Sequence, residues 1–228
     1  MASTYTDLGI ELMATGENAG TWGTKTNANL NLIEQLTGGF ATVSIAGGAG
    51  TTALDIDDGA LTGTAQQRVI EFTGSITGNR IVTIPNDVET FYILKNSTSG
   101  AYTVQFKYAT GSGSSTTFST TDKGTKIVYA SANDGTNPDI VDVMANSSEI
   151  ALTNSNPIKF QDADNSAFVG IDAPTTVSGS YTLTLPAAVG SASQVLVTTD
   201  GAGTLGFTSL PSAGISTGKA IAMAIVFG

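Results

Sequence analysis

The residues of this chain that could do chemistry are its carboxylates. Among 228 residues there are 19 Asp and Glu but no histidine and no cysteine. Zinc or iron sites built from Cys and His, Ser-His-Asp or Cys-His nucleophiles and thiol redox chemistry are therefore excluded. A calcium or magnesium site, or the paired acids of a glycosidase, would be the chemistry that carboxylates allow.

Two acidic stretches resemble the start of a calcium-binding loop. These are residues 55–59 (DIDDG) and 162–166 (DADNS). An EF-hand loop needs Glu at its twelfth position, but that position is Gln66 in the first stretch and Ala173 in the second. We therefore predict acidic turns, with a loose surface cation site as the alternative. No spacing singles out a glycosidase pair, so we predict no metal site, no cofactor and no enzymatic activity.

The charge balance argues against nucleic acid as a partner. Nine basic residues oppose the 19 acidic ones, the net charge is −10, and the basic residues are scattered along the chain. Binding to a phosphate backbone needs clustered Lys and Arg. The longest apolar run, residues 220–227, is far shorter than the roughly 20 residues that span a bilayer. We expect a soluble chain without an export signal and without membrane insertion.

Residues 1–39 are predicted to form an attachment segment that contains one helix. Within Lys25–Leu36, Ala28, Leu32 and Leu36 recur at helical spacing. Thr24 or Thr26 could cap the helix, and Gly38-Gly39 could end it with a positive φ. Trp22 lies just before it in a glycine-rich stretch. It either seals the small core of its own domain or anchors the chain to another protein, where Trp is enriched. For the second case the predicted docking residues are Trp22, Leu30, Leu32, Ile33 and Leu36.

Residues 40–146 are predicted to form a β domain. Apolar and polar residues alternate in 40–45, 68–73, 80–84 and 102–108, and turn signals such as Thr77-Gly78-Asn79 separate the strands. Short strands at this spacing predict an antiparallel sandwich or barrel. The glycine-rich stretch 47–51 lacks the Lys of a phosphate loop and is predicted to be a turn or a repeat corner.

Aromatic residues in this domain allow two interpretations. Tyr102, Phe106 and Tyr108 alternate along one predicted strand. They either pack into the core, which is the commoner arrangement, or form a strip on which a sugar receptor stacks. The Thr- and Ser-rich stretch from residue 111 to 121 is either an exposed recognition loop or an ordinary long hairpin.

Residues 147–228 are predicted to form a β region of thin strands. Segments such as 158–160, 167–171 and 194–197 carry few large apolar residues, so each could cover little core alone. Such strands bury their faces by stacking on neighbours, and without an exact internal period we expect that stacking between chains. Near the C-terminus large residues alternate with small ones, which indicates a strand with one bulky face, although an Ala-rich helix is the alternative. The residues predicted to form this oligomer interface are Ile221, Met223, Ile225 and Phe227.

Several segments resemble tail fibre proteins of marine bacteriophages, especially those that infect cyanobacteria. The segment 16–34 is similar to the start of such proteins, and 218–228 is similar to fibre termini. A shaft module that recurs in phage fibres is similar to Ala173-Pro174, Tyr181–Ala188, Gly190, Gln194–Leu196 and Thr199–Leu205.

The resemblance implies a non-enzymatic, homotrimeric virion component. Its N-terminal segment would dock to other phage virion proteins (a tail tube, adaptor or nozzle), and its distal part would contribute to host attachment on the particle exterior, with a host surface glycan as a candidate receptor. Many fibres are several times longer, so a head or collar fibre, or an adaptor carrying another fibre, is an alternative. A carbohydrate-binding adhesin is a further alternative, and a glycan depolymerase is the least favoured. The expected fold is mainly β: a short helical attachment segment, an antiparallel β-sandwich or barrel-like middle domain and a thin-stranded C-terminal region, intertwined in a trimer.

Overall fold

The computed structural model describes residues 2–150, 152 and 156–209, and over these residues the chain is mainly β with one α-helix near the N-terminus. The predicted fold class is therefore confirmed. The chain divides into two compact units, and the boundary falls between Ile150 and Ala151.

The helix, α1, runs from Trp22 to Gly38 and begins three residues before the predicted start. Gly20, at φ +82°, turns the chain just ahead of it, and Thr21 occupies the N-cap position without a side-chain hydrogen bond to the helix. The predicted capping residues Thr24 and Thr26 lie inside the first turns, so the capping prediction was wrong. The chain turns at Gly20, and the first helical residue is Trp22.

The strands of the first unit form one hairpin and two sheets. The hairpin joins β1 (Thr4–Tyr5) and β2 (Glu11–Leu12). The other strands are β3 (Phe40–Ser44), β4 (Gly50–Ala53), β5 (Val69–Thr73), β6 (Arg80–Ile84), β7 (Thr90–Asn96), β8 (Val104–Tyr108), β9 (Thr116–Phe118), β10 (Thr125–Ala130) and β11 (Ile140–Asp142). Sheet 1 has the order β11-β10-β7-β5-β3, and sheet 2 has the order β4-β6-β8-β9.

The strands from β3 to β8 pair in parallel. β5 lies between β3 and β7 in sheet 1, and β6 lies between β4 and β8 in sheet 2, all in parallel register. Within these two sheets, β9, β10 and β11 join their neighbours antiparallel. The sandwich is confirmed, but the antiparallel arrangement was wrong for the central strands. A turn signal marks where the chain bends and does not say which sheet the next strand joins.

The parallel strands form three successive turns of a coil that alternates between the two sheets. The bends stack as well, since the Thr77 N–H donates to the Gly47 carbonyl and the Ile76 N–H donates to the Ser99 carbonyl. Of the stretch 47–51, predicted as a turn or a repeat corner, residues 47–49 form such a bend, whereas Gly50 and Thr51 begin β4. Phe40 pairs with Val69, and Val69 pairs with Ile93, so the second turn of the coil uses a shorter length of chain than the first. The turns of this coil therefore do not repeat with one exact period in the sequence.

The core of the first unit lies between the two sheets. Each sheet contributes the alternate residues of its strands, and the largest buried side chains include Phe72, Tyr92, Phe106 and Tyr108. The rings of Tyr92 and Phe106 meet edge to face at 5.6 Å between centroids, a favoured aromatic geometry. The first unit therefore has a complete hydrophobic core of its own.

The described part of the second unit consists of two hairpins. The first joins β12 (Ile158–Gln161) to β13 (Phe168–Ile171), and the second joins β14 (Gln194–Thr198) to β15 (Leu205–Ser209). Each is a separate two-stranded antiparallel sheet. The prediction of thin strands is confirmed, because every residue of β12 and β13 is exposed.

Candidate docking surfaces

Glu11 fixes the N-terminal hairpin to the helix. Its carboxylate forms an ion pair with Lys25 of α1 at 2.9 Å and accepts a hydrogen bond from Asn18. The side-chain oxygen of Asn29 accepts a hydrogen bond from the backbone N–H of Glu11 at 3.0 Å, and the side-chain nitrogen of Asn29 donates one to the Glu11 carbonyl at 2.8 Å. Asn29 thus bonds to the backbone of β2 in the way that a residue of a neighbouring strand would. The hydrogen bond from Lys25 is the main cause that holds the pKa of Glu11 below its ordinary value.

This anchoring decides which face of the helix is free. Leu32 and Leu36 are buried against their own chain. Trp22, Leu30 and Ile33 lie within about 80° of one another on a helical wheel and are exposed. We call these three residues the helix ridge. A docking role for Leu32 and Leu36 was wrong, because the helix uses them to pack on the first unit.

Trp22 does not seal the core of its own domain. Its side chain is 62% exposed, the largest exposure among the three residues of the helix ridge. Exposed tryptophan is uncommon on monomer surfaces and enriched where proteins bind one another. The interpretation that Trp22 seals the small core of its own domain is therefore wrong.

The aromatic strip predicted for receptor contact is not on the surface. Phe106 is 0% and Tyr108 is 2% exposed, and both belong to the core cluster. Core packing, the commoner interpretation, is confirmed for both, so their assignment as receptor contacts was wrong. Tyr102 precedes the strand and is partly exposed, and its receptor role stays a prediction. Within the Thr- and Ser-rich stretch 111–121, residues 116–118 form β9, which pairs with β8 in a hairpin. Thr116 and Phe118 are buried.

Carboxylates of the two acidic stretches accept hydrogen bonds from nearby residues of the chain. Asp55 accepts hydrogen bonds from the backbone N–H and the hydroxyl of Thr64. Asp162 accepts from the hydroxyl of Ser166 and the N–H of Ala167. Within the described residues, no group of three or more acidic side chains is arranged to hold a metal ion.

Two open cavities occur on the first unit. One, of about 510 Å³, lies at the C-terminal end of α1 and is lined by Asn31, Glu34, Gln35 and Gln67 among others. The second, of about 560 Å³, is lined by Asp7, Asn86, Asp87 and Glu89 among others. Both have the size of small-ligand sites. Their linings offer amide and carboxylate groups suited to hydrogen bonding with a polar ligand.

Most basic residues of the first unit bind other groups of the same chain. Besides the pair at Glu11, Lys95 pairs with Glu71 and Lys126 pairs with Asp142, each at 2.8 Å. Arg80 donates to the carbonyl of Gly48, and Lys123 donates to the carbonyl of Gly100. These contacts tie strands and bends together.

The β12–β13 hairpin carries an uncovered apolar face that sequence reasoning did not single out. Ile158 pairs with Ile171, and Phe160 pairs with Val169. Because alternate residues of a strand share a face, these four side chains lie on one side of the hairpin. They are 51–72% exposed. We call them the hairpin face. The predicted interface residues Ile221, Met223, Ile225 and Phe227 lie outside the described residues.

No family model, curated protein or solved structure matches the chain. No helix among the described residues is long and apolar enough to cross a membrane.

Proposed function

We propose that this chain is a non-enzymatic structural component of a phage virion. It forms a homotrimeric, tail-fibre-like appendage that docks to the particle by its N-terminal segment and contributes to host attachment. Its partners are further copies of itself and other virion proteins. The proposal rests on the resemblance of the terminal segments to phage fibres, together with two exposed apolar surfaces.

The hairpin face is the observation that carries the proposal. A two-stranded hairpin is at best marginally stable in water, because it buries little apolar surface. Here all four large apolar residues of one face remain at least half exposed within the chain. Copies that pack these faces together would supply the missing core, as expected for a fibre of thin strands.

The helix ridge supports docking by the N-terminal segment. It runs from Trp22 to Ile33 and so extends about 16 Å along the helix. An apolar stripe on one face of a helix is a common way to bind a groove on another protein.

The mass of the full chain in solution tests the oligomer. A trimer has three times the 23.1 kDa mass of one chain. Light scattering on the purified chain at micromolar concentration should give this threefold mass. A stable mass equal to that of the single chain would contradict the proposal.

A matched pair of variants tests the role of the hairpin face. Phe160→Asp places a carboxylate on the apolar face, whereas Gln161→Asp adds the same group on the opposite face of the same strand. We expect Phe160→Asp to reduce the trimer fraction at least about tenfold, since a charge buried without a partner costs more than about 1.4 kcal/mol. Gln161→Asp should leave the mass unchanged. Equal assembly of both variants would remove the support that this face provides.

Antibody labelling tests the location on the particle. Gold-labelled antibodies raised against the purified chain should bind intact virions at an external appendage in electron micrographs. Virions without label, examined beside disrupted particles that do bind the antibody, would argue against an exterior position.

A further inference from the structure

The outer face of sheet 1 carries two apolar rows that cross its strands. One row follows the strand register through Phe40, Val69, Ile93 and Ile127, and continues to Val143, whose N–H donates to the Ile127 carbonyl. The other row joins Phe91 to Tyr129, with ring centroids 4.9 Å apart, and then to Val141. All eight side chains are exposed or half-buried. We call these eight residues the sheet ladder.

The outer face of sheet 2 provides an internal comparison. Its registered rows are Thr51, Ile81, Gln105 and Thr117, and Ala53, Thr83 and Lys107. Only Ile81 is a large apolar residue, as expected for a sheet whose outer face meets water. The two sheets enclose the same core, so the apolar outer face of sheet 1 is not required by folding of the single chain.

We infer that the sheet ladder packs against the same surface on further copies of this chain. This inference rests on the proposed homotrimer and names a surface of the first unit through which the copies contact one another. Contiguous exposed apolar surface of this kind marks interaction sites on soluble proteins.

Charge favours a second copy as the occupant of the ladder. The chain has a net charge of −10, so contact between copies through acidic surface would be repulsive. Among the outer-facing strand residues of sheet 1, the charged side chains are Glu71 and Lys95, which pair with each other at 2.8 Å. Beside the ladder, Glu89 accepts a hydrogen bond from the Tyr129 hydroxyl and Arg68 donates to the Phe91 carbonyl, so these two charges also have opposite signs. Counted over these four residues the surface carries no net charge, which favours contact with its own copy over contact through the acidic remainder of the chain.

The size of the ladder is also sufficient for contact between copies. Phe40, Phe91, Ile127 and Val143 are 38–57% exposed, so with the half-buried members the ladder offers on the order of 400 Å² of accessible surface per chain. Around a threefold axis each ladder meets the ladders of both neighbours, so the three ladders together would bury on the order of 1,000 Å², which is the size at which contacts begin to be specific. The ladder would therefore add substantially to an assembly that the hairpin face also stabilises.

Single cysteines test the inference, because the chain contains none. Ile127→Cys places a thiol at the centre of the ladder, and Thr117→Cys places one on the outer face of sheet 2; both native side chains are exposed in the single chain. The full-length variants are treated with a polyethylene glycol maleimide, native and in denaturant, after their masses have been measured. We expect the native Ile127→Cys protein to react at least about tenfold more slowly than native Thr117→Cys, with equal rates in denaturant.

The results separate the two proposals. Slow labelling of the assembled Ile127→Cys protein supports the ladder contact, as does dissociation of this variant while Thr117→Cys stays assembled. Equal native labelling rates in two assembled variants overturn the ladder contact and leave the trimer intact. A monomeric wild-type chain overturns the proposed trimer, and the ladder contact with it.

Discussion

The hydroxyl of Tyr108 shows how one side chain can hold three segments of the first unit together. It donates a hydrogen bond to the Val88 carbonyl and accepts one from the Ala132 N–H, both at 2.8 Å. Burial, which disfavours the charged phenolate, is the main reason that the pKa of Tyr108 rises to about 12. Of the two interpretations that the sequence left open for Tyr108, core packing is therefore the correct one.

Tyr108→Phe should lower the free energy of unfolding by about 1–3 kcal/mol. The substitution keeps the ring but leaves the Val88 carbonyl and the Ala132 N–H without this partner. Chemical denaturation monitored by circular dichroism measures the change. Tyr102→Phe is the control, because Tyr102 lies outside the core cluster, and it should change stability by less than about 0.5 kcal/mol. Equal effects of the two substitutions would contradict the structural role.

Trp22 and Leu32 lie on the same helix, but truncating them should affect stability to very different extents. Leu32 is fully buried, so Leu32→Ala should lower the free energy of unfolding by about 2–5 kcal/mol. Trp22 is exposed, so Trp22→Ala should change it by less than about 0.5 kcal/mol. Denaturant titration of both variants measures the difference. A large loss for Trp22→Ala in a monomeric sample would show that the side chain packs on its own chain.

At the scale of single elements, the end of α1 depends on close packing. Gly39 at the C-cap has φ −67°, which any residue can adopt. A Cβ atom there would lie 2.5 Å from the Gln35 carbonyl oxygen and would also meet the side chain of Gln67. The predicted stop at Gly38-Gly39 is correct, but Gly39 leaves the helix in an extended conformation (φ −67°, ψ 153°) and not with a positive φ. The lack of space for a Cβ atom explains why this position is glycine.

Gly39→Ala should therefore destabilise the first unit by about 1–3 kcal/mol. Gly38→Ala is the matched control, because a Cβ atom at Gly38 would meet nothing within 4 Å. Since Gly38 is the last helical residue, its replacement should be neutral or stabilise by up to about 1 kcal/mol. Thermal unfolding of the two variants measures the contrast. If the two variants changed the unfolding midpoint equally, crowding at Gly39 would not be the cause of the destabilisation.

The contact between β2 and α1 should weaken in acid. The pKa of Glu11 is lowered mainly by its hydrogen bond with Lys25, so the ionised form favours the folded state. This contribution is complete above the ordinary value of 4.5 and is lost as the pH falls through the lower pKa of the folded state. The unfolding midpoint of the wild type should exceed that of Glu11→Gln at neutral pH, and the gap should narrow steadily below about pH 4.5. A gap that stays constant from neutral pH into strong acid would contradict this role of the ion pair.

At the scale of the whole molecule, the two units differ in how they are stabilised. The first has a core enclosed by two sheets, whereas the described hairpins of the second expose most of their large apolar residues. The net charge of −10 opposes contact between copies through acidic surface, and the apolar surfaces are those that we propose for contact. Stability of the second unit is expected to depend on assembly.

A fragment of residues 1–150 should fold without the second unit. All residues of the core cluster lie within this part of the chain. We expect one cooperative unfolding transition, followed by circular dichroism, with a midpoint within a few degrees of that of the first unit in the full chain. A fragment that unfolds without cooperativity would show that the first unit needs the second.

Composition and local pattern were enough to establish several features of this protein. The lack of His and Cys excluded whole classes of chemistry, helical spacing located α1, and alternation located β3, β5, β6 and β8. The scarcity of large apolar residues also identified the second unit as poor in core-forming side chains. These features follow from residue type and from contacts between near neighbours in the chain.

The pairing of the strands, and which apolar side chains remain exposed, could be determined only from the tertiary structure. Parallel pairing joins residues such as Phe40 and Val69 that are far apart in the sequence, and no local pattern encodes that choice. Alternation identified the two faces of each strand without saying which face would be enclosed. Tyr108 therefore came to lie in the core and Ile127 on an outer face, because burial depends on which second sheet or helix covers a surface.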